Sequence, residues 1–214
     1  PQKQKGIVPK STDILTFARN NIIGVSQRIQ QNRTEHIVFE RSLYDNADLV
    51  LLVEHEFWRR DIAMRLEVSI VRGEGVDSTT VLSPDGRGWV WVGEDSVEKT
   101  AIRIQEILSR FSLSEMYSIL INFPNDVETN GPWRLLDIVE RKGDCWVLRN
   151  EKANQHNGIK EAEFCSQNWQ LHRLVLSYED EEMEYRYKGF RKVGGSKGYL
   201  PLEIEIYSNE ILIE

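Results

Sequence analysis

The chain has 214 residues, 40% of them apolar and 29% charged, with a formal net charge of −7. That balance suits a folded domain with a substantial core and argues against wholesale disorder. The acidic excess disfavours a phosphate-backbone binder, which needs a basic face. No apolar run approaches the roughly 20 residues with which a helix spans a bilayer.

The chain opens at Pro1, and its first ten residues are polar and Lys-rich. Residues 1–10 are expected to form a flexible segment, and the chain to be a processed one that lacks a signal or anchor segment. Residues 11–31 predict a helix: Ser11 or Thr12 caps it, and Ile14, Leu15, Ala18, Ile22 and Val25 form an apolar stripe at helical spacing.

A period-two rhythm follows. Ile62, Met64, Leu66, Val68 and Ile70 alternate with Ala63, Arg65, Glu67 and Ser69. Alternate strand residues point to opposite faces, so this pattern gives one apolar and one wet face, as in antiparallel sheets. Strands are predicted over 36–43, 48–58, 62–72, 76–83 and 88–92, separated by turn clusters such as Gly73-Glu74-Gly75 and Pro84-Asp85-Gly86. Residues 95–123 break the rhythm and read as helical. Asp95 and Glu98 form a capping-box pattern, and Ile102, Ile107, Leu108 and Phe111, then Leu113, Met116, Tyr117 and Leu120, mark two short amphipathic helices. Residues 122–132 read as a polar loop.

Strands resume over 134–142, 145–150, 159–166, 170–178, 183–190, 200–207 and 211–213. The last long one alternates Leu200, Leu202, Ile204 and Ile206 with Glu203, Glu205 and Tyr207. About eleven or twelve strands result. With no sequence repeat and no long linker, residues 11–214 read as one domain.

The two cysteines, Cys145 and Cys165, flank a turn-like segment. A hairpin whose paired numbers sum to 310 sets Trp146 against Phe164, Leu148 against Ala162, Arg149 against Glu161, and Cys145 against Cys165. Aromatic and opposite-charge pairs are favoured cross-strand neighbours. The same register brings the cysteines within bridging reach, and a bridge would imply an oxidising compartment. Two free thiols on a sheet are the alternative.

Catalytic signals are weak. His36, His55, His156 and His172 show no close metal spacing. Ser96 to Lys99 matches SxxK without its companion motifs and reads better as a helix start. Gly194 to Gly198 precedes a strand, unlike a phosphate-binding loop, and reads as a hairpin loop. Asp180-Glu181-Glu182 reads as a solvated turn, and Asn32-Arg33-Thr34 matches a glycosylation sequon. No nucleophile, base and orienting group emerge together, so no enzyme, metal or cofactor is expected. Trp58, Trp89, Trp91, Trp133, Trp146 and Trp169 suit either a greasy pocket lining or ordinary core packing.

The order of elements resembles the bacterial outer-membrane lipoprotein carriers, the LolA and LolB proteins. Trp58-Arg59-Arg60 and the Met64-to-Glu67 strand resemble that family's tryptophan-and-basic hairpin, with Asp61 where the family carries proline. Pro84-Asp85-Gly86 before Trp89-Val90-Trp91 resembles its Asp-Gly turn and aromatic strand. Tyr187 to Phe190, continuing through Gly198-Tyr199-Leu200-Pro201-Leu202, resembles its closing hairpin.

The resemblance implies a mainly β (α+β) fold: an antiparallel half-barrel of about eleven strands, its concave apolar face covered by helices. It implies a monomeric, non-enzymatic periplasmic carrier or acceptor of acyl chains, working with an inner-membrane transporter or an outer-membrane receptor. A sensor or protein-interaction module on the same fold is the alternative. Strand parity selects the lining: Ile37, Phe39, Leu51, Val53, Phe57, Met64, Leu66, Val68, Tyr185, Leu202 and Ile204. Ile107, Phe111, Leu113, Met116 and Leu120 are the expected lid.

Overall fold

The computed structural model describes residues 8–31, 34–45, 48–60, 63–75, 77–82, 88–92, 96–98, 117–129, 131–150, 158–165, 168–178, 181–192 and 198–214. The protein is mainly β; the described residues form two α-helices and three antiparallel sheets. Among the described residues none of the sheets closes into a barrel. By compactness the chain divides into two units, residues 1–27 with 119–211 and residues 28–118 with 212–214.

The second unit holds a six-stranded meander. It runs β1 (Thr34–Asp45), β2 (Asp48–Arg60), β3 (Ala63–Arg72), β4 (Ser78–Leu82), β5 (Gly88–Val92) and β6 (Ser96–Glu98), each strand paired with the next. The alternation from Met64 to Ile70 sets the faces. Ile37 stands opposite Phe57 and Phe57 opposite Leu66; Phe39 stands opposite His55 and His55 opposite Val68. The other face is wet: His36 stacks on Trp58 at 5.1 Å, and Arg65 lies 5.3 Å over the same indole. After β3 the chain turns at Gly73 (φ +105°), where a Cβ would meet the Val50 carbonyl oxygen at 2.6 Å. Only glycine fits there.

The first unit packs helices on a seven-stranded sheet. α1 (Ser11–Gln31) has the predicted bounds, and its stripe of Ile14, Leu15, Ala18, Ile22 and Val25 is buried. α2 (Ser118–Glu128) buries Leu120, Ile121, Phe123, Pro124 and Val127. Ser26 Oγ donates to the Ile121 carbonyl at 2.7 Å, and Arg19 Nε donates to the Pro124 carbonyl at 3.2 Å. A 3₁₀ helix (Pro132–Leu135) then brings Trp133 edge-on to Phe123 at 4.7 Å.

The sheet of this unit contains β7 (Ile138–Lys142), β8 (Cys145–Arg149), β9 (Gly158–Cys165), β10 (Gln170–Tyr178), β11 (Glu181–Lys188), β14 (Glu203–Ser208) and β15 (Ile211–Leu212). Its order is β15-β14-β11-β10-β9-β8-β7. A separate ribbon pairs β12 (Arg191–Lys192) with β13 (Tyr199–Leu200).

Several expectations give way. Ser96–Glu98 is a strand, because Val97 pairs with Trp91 and Ser96 with Val92. Sheet pairing overrides the local capping-box signal. The helix expected to end at Phe123 instead runs to Glu128, through the segment read as a polar loop. Pro124 cannot donate to the carbonyl four residues back. The buried face of Phe123, Pro124 and Val127 holds the turn regardless. The strand expected over 200–207 is split at Pro201, which has no N–H for the ladder. That over 134–142 begins only at Ile138, its start taken by the 3₁₀ helix. Glu181 and Glu182 belong to β11 rather than to a turn. The described residues form fifteen strands, where eleven or twelve were expected for the chain.

Candidate functional site

The site selected by parity is the apolar face of the meander. Val53, Phe57, Met64 and Leu66 are buried there. Ile37, Phe39, Leu51 and Val68 are half-buried. The pairings Ile37–Phe57–Leu66 and Phe39–His55–Val68 run as two parallel rows across β1, β2 and β3. Eight of the eleven selected lining residues therefore share one sheet.

The other three lie in the first unit. Tyr185 on β11 pairs with Ile206, and Ile204 on β14 pairs with Tyr187. Leu202 lies in the bend before β14 and is 59% exposed. Of the expected lid, Leu120 is buried on α2. Ile107, Phe111, Leu113 and Met116 fall outside the described residues.

His55 was not among the selected residues, yet it stands on the same face, stacked on Phe39 at 4.7 Å. Burial first, and then the charge of Arg41, holds its imidazole below the ordinary histidine range. The face therefore carries a neutral polar group within an apolar row. The parity pattern was the signal that could have found it: His55 falls between Val53 and Phe57 at the same two-residue step.

The tryptophans do not gather into one lining. Trp58 is on the wet face of the meander, and Trp133 is buried in the other unit's core. Trp169, in the turn between β9 and β10, has φ 52°, a left-handed conformation costly for a bulky residue. It stacks on Phe17 at 5.1 Å and borders a cavity of about 270 Å³, counting space open to solvent, with Asn21, Ile22, Phe190 and Tyr199. Its enclosed part has room for little more than a water molecule, too small for a long acyl chain. No pattern in the sequence pointed to Phe17, Asn21 or Tyr199, which lie far apart along the chain.

The predicted cysteine hairpin is present. Cys145 pairs with Cys165, Trp146 with Phe164, Leu148 with Ala162 and Arg149 with Glu161, and the cysteines form a disulfide. The same sheet face carries an ionic ladder. Arg149 bridges Glu140 at 2.5 Å and Glu161 at 2.6 Å, Arg173 joins Glu161 to Glu184, and Arg186 pairs with Glu184. Such a face is solvated structure rather than an apolar binding wall. The chain matches no protein-family model and no curated protein.

Proposed function

We propose that the protein is a non-enzymatic, LolA/LolB-like carrier or acceptor that holds the acyl chains of a lipid or lipoprotein. The binding surface is the apolar face of the meander. One observation carries the reading: Ile37, Phe39, Leu51 and Val68 are apolar, aligned on one face, and only half-buried. Burying an acyl chain against them gains roughly 0.8 kcal/mol per methylene. The half-barrel with covering helices, the periplasmic location and the membrane-bound donor or receptor belong to the same reading. So does the monomeric state.

The second reading is a sensor or interaction module, in which that face is ordinary core and an edge or loop contacts a protein. Native mass spectrometry of detergent-free material separates the two. A carrier shows an adduct of acyl-lipid mass that organic extraction removes. Protein that carries no adduct and takes up none from lipid vesicles would count against the carrier.

A further inference from the structure

The ionic face of the seven-stranded sheet carries a cluster that the lipid-binding reading does not use. Cys145 and Cys165 are opposed, and Glu163 lies two residues before Cys165 on β9, hence on the same face. The two sulfurs and a Glu163 carboxylate oxygen lie within 4.8 Å of one another, and all three residues are half-buried. In the disulfide form the sulfurs are spent on each other. We propose that reduction of the Cys145–Cys165 bridge turns this cluster into a site for a thiophilic divalent cation of the Zn²⁺ class. Two thiolates and the Glu163 carboxylate hold the ion, and water takes the fourth position.

The chemistry balances. Two small-molecule thiols reduce the S–S bond; it takes up two electrons and two protons, and the thiols leave as their own disulfide. The cation then displaces the two cysteine protons to solvent as two metal–sulfur bonds form. Thiolates favour Zn²⁺ over Mg²⁺ and Ca²⁺.

The geometry suits this. Zn–S bonds of about 2.3 Å place two thiolates of a tetrahedral ion roughly 3.8 Å apart. The Cα atoms of the pair are 3.9 Å apart, so side-chain rotation suffices and the strands need not part. Two thiolates and a carboxylate around a divalent ion leave one net negative charge. Lys142 Nζ, 4.0 Å from the Glu163 carboxylate, offsets it. On the opposite face Trp146 and Phe164 pair across the same two strands, with Phe164 fully buried, so the ligands stand on a rigid base.

The probe is Co²⁺, added anaerobically to the full chain after reduction and removal of the reducing thiol. The expected result is one Co²⁺ per chain, with thiolate-to-cobalt absorption in the near ultraviolet, the strong visible bands of a tetrahedral ion, and displacement by Zn²⁺. Oxidised protein should show none of these. Glu163→Gln should keep the thiolate absorption but bind at least about tenfold more weakly, and Cys145→Ser should abolish it. The proposal is overturned if reduced protein takes up no Co²⁺ or loses its far-ultraviolet dichroism. It is equally overturned if oxidised protein binds as well, or if Glu163→Gln leaves the affinity unchanged.

Discussion

Cys145 faces Cys165 across the β8–β9 pair, and the bridge between them closes a loop spanning 20 positions. In the chain-entropy model such a closure adds about 3 kcal/mol. Reduced protein should therefore unfold at lower urea than oxidised protein, with a steeper slope, because the unbridged chain exposes more surface when unfolded. A domain stable by roughly 5–15 kcal/mol survives that loss. Finding two reactive thiols in unfolded, never-reduced protein would show that the bridge does not form.

Gly198 lies against α1 so closely that a Cβ there would meet Val25 Cγ2 at 2.2 Å and the Asn21 carbonyl oxygen at 2.3 Å. The second contact is with helix backbone, which cannot swing aside. Gly198→Ala should cost about 1–3 kcal/mol by overpacking, measured by urea unfolding. A loss below about 0.5 kcal/mol, the range of ordinary surface changes, would mean that the segment does not rest on the helix.

Glu184 sits between Arg173 and Arg186. The Arg173 hydrogen bond is the largest cause holding its carboxyl below the usual range; burial opposes, and Arg186 adds to the lowering. A depressed carboxyl contributes stability above its unfolded value of about 4.3, and that contribution is lost as pH falls through the lower folded value. Glu184→Gln should be less stable than wild type by about 1–2 kcal/mol at pH 7. The gap should close in strong acid. A gap independent of pH would assign the loss to packing.

His55 works in the same direction at higher pH. Its folded value is lowered by burial and Arg41, so the folded state resists a proton that the unfolded state accepts near pH 6.5. Stability from this residue is complete above that pH and declines as pH falls toward the folded value. His55→Phe should flatten the stability profile just below pH 6.5, as read from urea midpoints. His172 shares the lowered direction through burial, with Glu163 opposing. His172→Gln therefore serves as the companion variant that isolates the His55 share.

Much of the fold was legible because its signals are local. The α1 stripe, the Met64-to-Ile70 alternation and the Arg149–Glu161 and Trp146–Phe164 pairs each specify faces or register within a few residues. What was missed depends on distant partners. Ser96–Glu98 joins a sheet because β5 is there to receive it, and α2 continues past Phe123 because Phe123 packs against Trp133 and Phe164. The site was legible only in part, because parity assigns a face but not a sheet. Eight of the residues it selected share the meander sheet, and the other three, Tyr185, Leu202 and Ile204, alternate just as well elsewhere. His55 escaped because a histidine does not read as apolar, although its position does.

Titration of a fluorescent fatty-acid probe into wild type, Leu66→Glu and Glu67→Leu tests the central claim most directly. Leu66 is buried on the apolar face opposite Phe57, whereas Glu67 stands on the wet face beside Arg65. The carrier reading predicts saturable binding by wild type and by Glu67→Leu. It predicts none by a folded Leu66→Glu, since an unpaired carboxylate among acyl chains is costly. That variant should lose less than the roughly 3–5 kcal/mol expected for an uncompensated charge in a packed core, because a cavity for lipid admits water when empty. Wild type that binds no probe, together with a Leu66→Glu variant that unfolds, would make the face ordinary core and contradict the carrier.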